Sequence, residues 1–137
     1  MLVNKKNHMK TGSNGIKLIK SFESLHDGDL TQIGLQPKMD PIGIWTEGWG
    51  RAMRDSKGNF IKGTKNKKLA YDRISMHTVE EADKALIQDL SVFESIVAKN
   101  IKISLNQNQF DALVSYVYNT GGSSTLYKLI NNQATDF

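Results

Sequence analysis

The stretch Asp40-Pro41-Ile42-Gly43-Ile44-Trp45-Thr46-Glu47-Gly48-Trp49-Gly50 constrains this chain more than any other. It opens with Asp, Pro and Gly at the first, second and fourth positions of a four-residue turn, the signature of a type I turn. Past the turn, alternation along an extended segment places Ile44, Thr46 and Gly48 on one face. Gly48 and Gly50 are expected to keep that face shallow, with room for a ligand against the backbone. A second turn at Asp55-Ser56-Lys57-Gly58-Asn59 and a short return through Phe60-Ile61 complete the pattern. Residues 38–62 are therefore predicted to form a small antiparallel sheet.

Upstream, a helix is predicted from a cap at Ser13 or Asn14 to about Leu25. At about 100° per residue, with Ile16 at zero, Leu25, Leu18, Phe22 and Ile19 fall between roughly 180 and 300°. Lys20, Ser24, Lys17 and Ser21 form the wet face, and Glu23 lands at roughly 340°, between Ile19 and Ile16. A carboxylate at the edge of an apolar stripe is partly desolvated, which raises its pKa, and the nearby helix C-terminus pushes the same way. Such a group can hold a proton near neutrality and act as a general acid. The ordinary alternative is a Glu that reaches solvent or a Lys. Asp40 has the opposite bias, because a carboxylate in a polar turn stays ionised; its ordinary role is to cap that turn. Two carboxylates set apart in this way assign acid and base roles in glycoside cleavage. Thr46, beside Asp40, can hold and orient an attacking water.

The rest of the chain is mostly helical. Thr78-Val79-Glu80-Glu81 is a capping box, followed by an apolar stripe of Val79, Ala82, Leu86, Leu90, Phe93 and Val97. Asn106 caps the next helix, with Phe110, Leu113, Val114 and Val117 expected inside; Gly121-Gly122 ends it. Ser123 or Ser124 opens a last helix carrying Leu126, Leu129 and Ile130. The predicted fold class is α+β: a flexible basic arm over 1–13, then one domain over 14–137. Within it, 14–73 holds the first helix and small sheet and 74–137 the helical lobe, with a cleft between them.

Composition narrows the chemistry. The 137 residues include no Cys, and His8, His26 and His77 lack metal-ligand spacing, so neither a metal nor a cofactor is expected. The net charge of +4 suits an anionic partner without naming one. Between Arg51 and Arg73 eight Lys/Arg face only Asp55 and Asp72. The run 62–68 is read as a solvated loop or, functionally, as an attraction to anionic wall polymer. A nucleic-acid partner would want aromatics interleaved with the basics for stacking, and Tyr71 alone does not provide that. No apolar run reaches signal-peptide or membrane-spanning length.

Glu23 at a helix end, then Asp40 and Thr46 inside Asp40-Pro41-Ile42-Gly43-Ile44-Trp45-Thr46-Glu47-Gly48-Trp49-Gly50-Arg51, resemble the phage-type lysozymes of glycoside hydrolase family 24, the endolysins. The likeness continues in Asn106-Gln107-Asn108-Gln109-Phe110-Asp111-Ala112-Leu113-Val114-Ser115, through Tyr118-Asn119-Thr120-Gly121, and in Ser123-Ser124-Thr125-Leu126. Together these motifs run from residue 15 to about 132. The resemblance implies a lysozyme-like fold and an endo-muramidase that hydrolyses the β-1,4 bond between N-acetylmuramic acid and N-acetylglucosamine in bacterial peptidoglycan, with inversion. It also implies saccharide contacts from the Gly50 backbone, Tyr118 and Asn119; packing of Tyr118 in the core and helix capping by Asn119 are the alternatives. An endolysin with no export signal or stable membrane anchor is expected to wait in the host cytoplasm until the membrane is permeabilised, or to act from outside.

Some features depart from that pattern. Arg51 stands where many relatives have His, and the connection from Asn119 to Ser123 is shorter than usual. Relatives usually continue into a Gly-Leu-Val-x-Arg-Arg-like run and a final helix, with an arginine near the catalytic Glu. Here the chain stops at Phe137, so a catalytically impaired wall-binding or structural module stands beside the hydrolase, as does completion of the lobe by self-association. A lytic transglycosylase, which needs the acid but no water-holding pair, and a basic nucleic-acid binder are the remaining rivals. Residues 26–36 form an insertion between Glu23 and Asp40, read as a helical turn, a lid or a specificity loop.

Overall fold

The computed structural model describes residues 9–23, 25, 27–28 and 34–132. In chain order these form α1 (Ser13–Glu23), β1 (Lys38–Met39), β2 (Trp45–Glu47), β3 (Arg51–Ala52), α2 (Lys67–Asp72), α3 (Val79–Asn100), α4 (Gln107–Thr120) and α5 (Ser124–Asn132). The class is α+β, as the sequence pattern requires. No helix among the described residues is long and apolar enough to cross a membrane.

The chain divides into two compact units, residues 22–87 and residues 1–21 with 88–137. This differs from the expected boundary at residue 73, and side-chain hydrogen bonds give the reason. The 74–77 segment is tied to the sheet, because the Glu47 carboxylate accepts from Ser75 N, Ser75 Oγ and Met76 N. The start of α1 is tied to α4, because Asp111 Oδ1 accepts from Gly12 N at 2.9 Å.

Within residues 22–87 the sheet runs β1-β2-β3, antiparallel throughout. Its register sets Lys38 opposite Thr46, Met39 opposite Trp45 and Thr46 opposite Ala52. Isolated bridges at Ile44–Lys62 and Arg54–Phe60 extend the pairing, so the expected 38–62 sheet is present. Side chains alternate across a strand. Trp45 and its partner Met39 therefore share a face, and both pack with Met53, Ile61, Ala70 and Tyr71. The Trp45 indole meets the Tyr71 ring edge-on, centroids 6.3 Å apart, and donates to Gly63 O at 2.8 Å. A second cluster joins Leu35, Met76, Ala82 and Ala85, with Leu25 and Trp49 packed on it.

Two local expectations are corrected here. Gly48 does not keep a ligand face shallow: at φ +60°, a Cβ on it would lie 2.4 Å from Met76 Sδ, so the glycine admits a core methionine. The basic run 62–68 is not a loop either. Thr64–Asn66 forms a 3₁₀ turn that leads into α2. Asn66 Nδ2 closes that turn on Lys62 O at 2.7 Å, and Ala70 is fully buried beneath it.

In the other unit the capping signals are realised. Asn106 accepts from Gln109 N while Gln109 Oε1 accepts from Asn106 N, a complete capping box. Gly121 ends α4 in the left-handed conformation, φ 83°. Phe110, Leu113, Val114 and Val117 are all buried. In α5, Tyr127 and Ile130 are the buried residues, whereas Leu129 faces out.

The arm expected over 1–13 is not loose at its C-terminal end. Thr11 donates through both N and Oγ1 to Glu94 Oε2, each at 2.7 Å, Gly12 donates to Asp111, and Ser13 is already helical. Residues 1–8 lie outside the described residues. Glu94 and Asp111 are both buried, and these backbone donors supply partners that a buried carboxylate requires.

Candidate active site

Glu23 is the last residue of α1, and that helix is rotated relative to the apolar projection. Its buried positions are Gly15 and Ile19, while Leu18 and Phe22 are 39% and 66% exposed. The cause lies at Gly15, where a Cβ would fall 2.6 Å from Asp111 Cγ; only glycine lets the helix approach α4 so closely. The inward line is thus Gly15, Ile19, Glu23, one residue every four, and Glu23 continues it instead of lining its edge. Burial raises the Glu23 carboxyl above its ordinary pKa of 4.5.

Gly50 is built against this carboxyl. It follows β2 in a turn closed by its own N–H on Glu47 O at 3.2 Å, and it holds φ +100°. A Cβ there would lie 2.6 Å from Glu23 Oε2 and 3.3 Å from Glu23 Cδ. Both features call for glycine. Gly50→Ala should therefore displace the Glu23 carboxyl, and a misplacement near 1 Å can cost on the order of 10²-fold in rate. Wall-clearing rate measured beside a urea midpoint separates this displacement from simple unfolding.

Asp40 is held as its turn signature predicts. Gly43 N donates to Asp40 O at 3.0 Å, and Asp40 Oδ1 accepts from Ile42 N at 2.9 Å and Ile44 N at 2.8 Å. One carboxylate oxygen thus fixes the turn. The other accepts no hydrogen bond among the described residues. Thr46 lies in the centre of β2, buried, with Oγ1 donating to Lys38 O across the ladder at 2.8 Å. Asp40 lies two residues beyond Lys38, the cross-strand partner of Thr46, and so is a diagonal neighbour on the same face. Glu23, Asp40, Thr46 and Gly50 all belong to the 22–87 unit.

Tyr118 and Asn119 belong to the other unit, near the end of α4. The Tyr118 ring packs edge-on against Phe93 at 5.1 Å, and Asn119 is exposed, its Nδ2 donating to Ser115 Oγ at 3.4 Å. Capping of α4 falls to Gly121. Sequence reading missed the supports of this region. Glu47 is one, buried between two tryptophans of the strand sequence. Asp83 is another, accepting from Trp49 Nε1 at 2.7 Å. The available signal for Glu47 was its place in a strand flanked by apolar residues, where a carboxylate must find donors. No three His, Asp or Glu side chains among the described residues converge as a metal site would require.

The family model described as phage lysozyme matches residues 30–136. The endolysin of Salmonella phage P22 is 36% identical over 127 residues, an alignment covering 90% of this chain and 74% of that protein. The chain belongs to the phage lysozyme family. Its similarity to the endolysin of Bacillus phage PZA is 31% over 131 residues, 93% of this chain but 43% of that longer relative. The endolysin from Escherichia coli O157:H7 phage FAHEc1 shares the fold with a TM-score of 0.64 at 31% identity, covering 93% of this chain and 70% of that one. For a phage lysozyme, the residues matched by the family model include Asp40, Thr46, Gly50, Tyr118 and Asn119, while Glu23 precedes the stretch and falls under the alignments to whole relatives.

Proposed function

We propose that this chain is a peptidoglycan hydrolase, an endo-muramidase that cleaves the β-1,4 bond between N-acetylmuramic acid and N-acetylglucosamine with inversion, in lysis of a bacterial host. The observation that carries the reading is Glu23: a carboxyl whose pKa burial raises, seated against the bare backbone of Gly50. Protonated Glu23 donates to the glycosidic oxygen, which leaves C1 with the bonding electron pair. Asp40 and Thr46 supply the water. Because the Thr46 hydroxyl proton is directed to Lys38 O, Thr46 meets a water as an acceptor. A water that donates to Thr46 and to the second Asp40 oxygen keeps a lone pair for C1. As the new C1–O bond forms, its proton passes to Asp40. Inversion requires room for that water, with carboxyls about 6.5–9.5 Å apart. Gly50, Tyr118 and Asn119 are assigned to the saccharide, through backbone, ring and amide respectively.

The test is product analysis on purified peptidoglycan. Digestion followed by borohydride reduction should convert muramic acid, not glucosamine, to its alditol, and proton NMR should see the α-anomer first. An anhydro-muramic product would replace the hydrolase with a transglycosylase, and a β-anomer would replace inversion with retention. A folded chain that clears no wall would move the reading to a wall-binding module.

A further inference from the structure

The 22–87 unit divides its charge sharply by segment. Its segment 51–73 carries eight Lys/Arg against two Asp/Glu, a net of +6, whereas the rest of that unit carries two against eight, a net of −6. The catalytic candidates Glu23 and Asp40 belong to the acidic part. The basic part is not the solvated loop its composition implies. Arg54 lies over the Phe60 ring at 4.2 Å and donates to Gly58 O at 2.8 Å, and Arg73 Nε donates to Arg54 O at 2.8 Å. Lys65 and Lys67 are carried on the 3₁₀ turn and α2, and Lys62 is anchored by the Ile44 bridge and by Asn66. Lys57, Lys62, Lys65, Lys67 and Lys68 are all exposed. Of the two acids, Asp72 pairs with Lys68 at 2.9 Å, and Asp55 Oδ1 is occupied in capping its own turn. Most of this charge is therefore uncompensated and preorganised.

We infer that the 51–73 face binds a linear polyanion carried on the wall, of the phosphodiester glycopolymer class, and so holds the protein on the polymer mesh whose glycan it is proposed to cut. The inference rests on the hydrolase reading for its location, since the partner is taken to be attached to the substrate. The aromatics of the face favour a wall polymer over nucleic acid. Arg54 lies over the Phe60 ring, which stays partly exposed, and Tyr71 is engaged by Trp45 and by Lys67 Nζ at 5.5 Å, so the face offers one partly exposed ring and no series of rings for stacking bases. Binding through phosphate contacts releases counterions, and its affinity falls steeply with salt.

The experiment is co-sedimentation of the 137-residue chain carrying Glu23→Gln, which holds the glycan intact. Walls are compared before and after acid extraction of their phosphodiester polymer, across a salt series. Retention should be strong on untreated walls, fall at least about tenfold on extracted ones, and be released by salt. Neutralising Lys62, Lys65 and Lys67 together to Gln should lower the slope of log affinity against log salt by roughly two to three. A second variant, Lys57→Gln with Lys62→Gln, covers the case in which the triple substitution disturbs α2. Equal retention on extracted walls, an unchanged slope in folded variants, or equal binding of duplex DNA would each overturn the inference. Clearing of polymer-free peptidoglycan by the unsubstituted chain is scored separately, so loss of the hydrolase reading and loss of the binding face give different patterns.

Discussion

Glu23→Gln should abolish wall clearing and, in the same protein, raise stability at neutral pH. The first effect follows from the proposed role, since removal of a general acid costs typically about 10²–10⁴-fold in rate. The second follows from linkage. Burial raises the folded-state pKa of Glu23 above 4.5, so between the unfolded and folded values the native chain binds more protons than the unfolded one. Stability in that window falls as pH rises. Its contribution is whole below the unfolded pKa and is lost as pH passes the folded value, above which a charged carboxylate stays partly desolvated. Glutamine has no such slope. Urea midpoints of parent and variant, followed from below pH 4.5 to well above neutrality, should therefore diverge with the variant more stable. Parent activity should decline over the upper part of the same window as the acid deprotonates. A variant less stable than its parent at neutral pH would show that Glu23 is held by favourable partners and not strained by burial.

The class, the sheet and the helix termini were legible because each rests on local chemistry. Asp40-Pro41-Ile42-Gly43 determines a turn by its own side chain and dihedrals, and Asn106 with Gln109 determines a helix start without help from distant residues. The local placement of Asp40 and Thr46 was legible for a similar reason: turn and ladder register are both short-range. What the pattern could not carry was side-chain contact across long sequence separation. The rotation of α1 depends on Gly15 meeting Asp111, so a projection that weights only apolar side chains centres on Leu18 and Phe22 and puts Glu23 at an edge. Gly48 reads as open space until Met76 is seen to fill it. Lys62 to Lys68 reads as a loop because the small buried Ala70 is its strongest inward anchor. The phage lysozyme motif Asn106–Ser115 also gains a physical meaning, since Asp111 is the buried acceptor that fastens the start of α1 to α4.

Glu47→Ala should destabilise the strand that carries Thr46 through polar contacts alone. The carboxylate is buried, and both of its oxygens are used: Oε1 by Ser75 N at 2.9 Å and Met76 N at 3.3 Å, Oε2 by Ser75 Oγ at 2.8 Å. Its removal leaves the buried Met76 N–H without a partner and frees the segment whose Met76 sulfur fills the space over Gly48. Ser75 is exposed and can turn to water, so the cost is not three full bonds. Hydrogen bonds to a charged group contribute about 1.5–3 kcal/mol each and an orphaned buried donor costs about 1–3. Relief of the buried charge offsets part of this. A net loss of about 2–4 kcal/mol in urea unfolding is expected. Glu47→Gln is the discriminating control. Its carbonyl oxygen can still accept from both N–H groups, and its amide can donate to Ser75 Oγ with the direction of that bond reversed. The Gln variant should therefore keep most of the stability, and a Gln variant as unstable as the Ala one would show that the full negative charge, not the acceptor geometry, holds the 75–76 segment to the sheet.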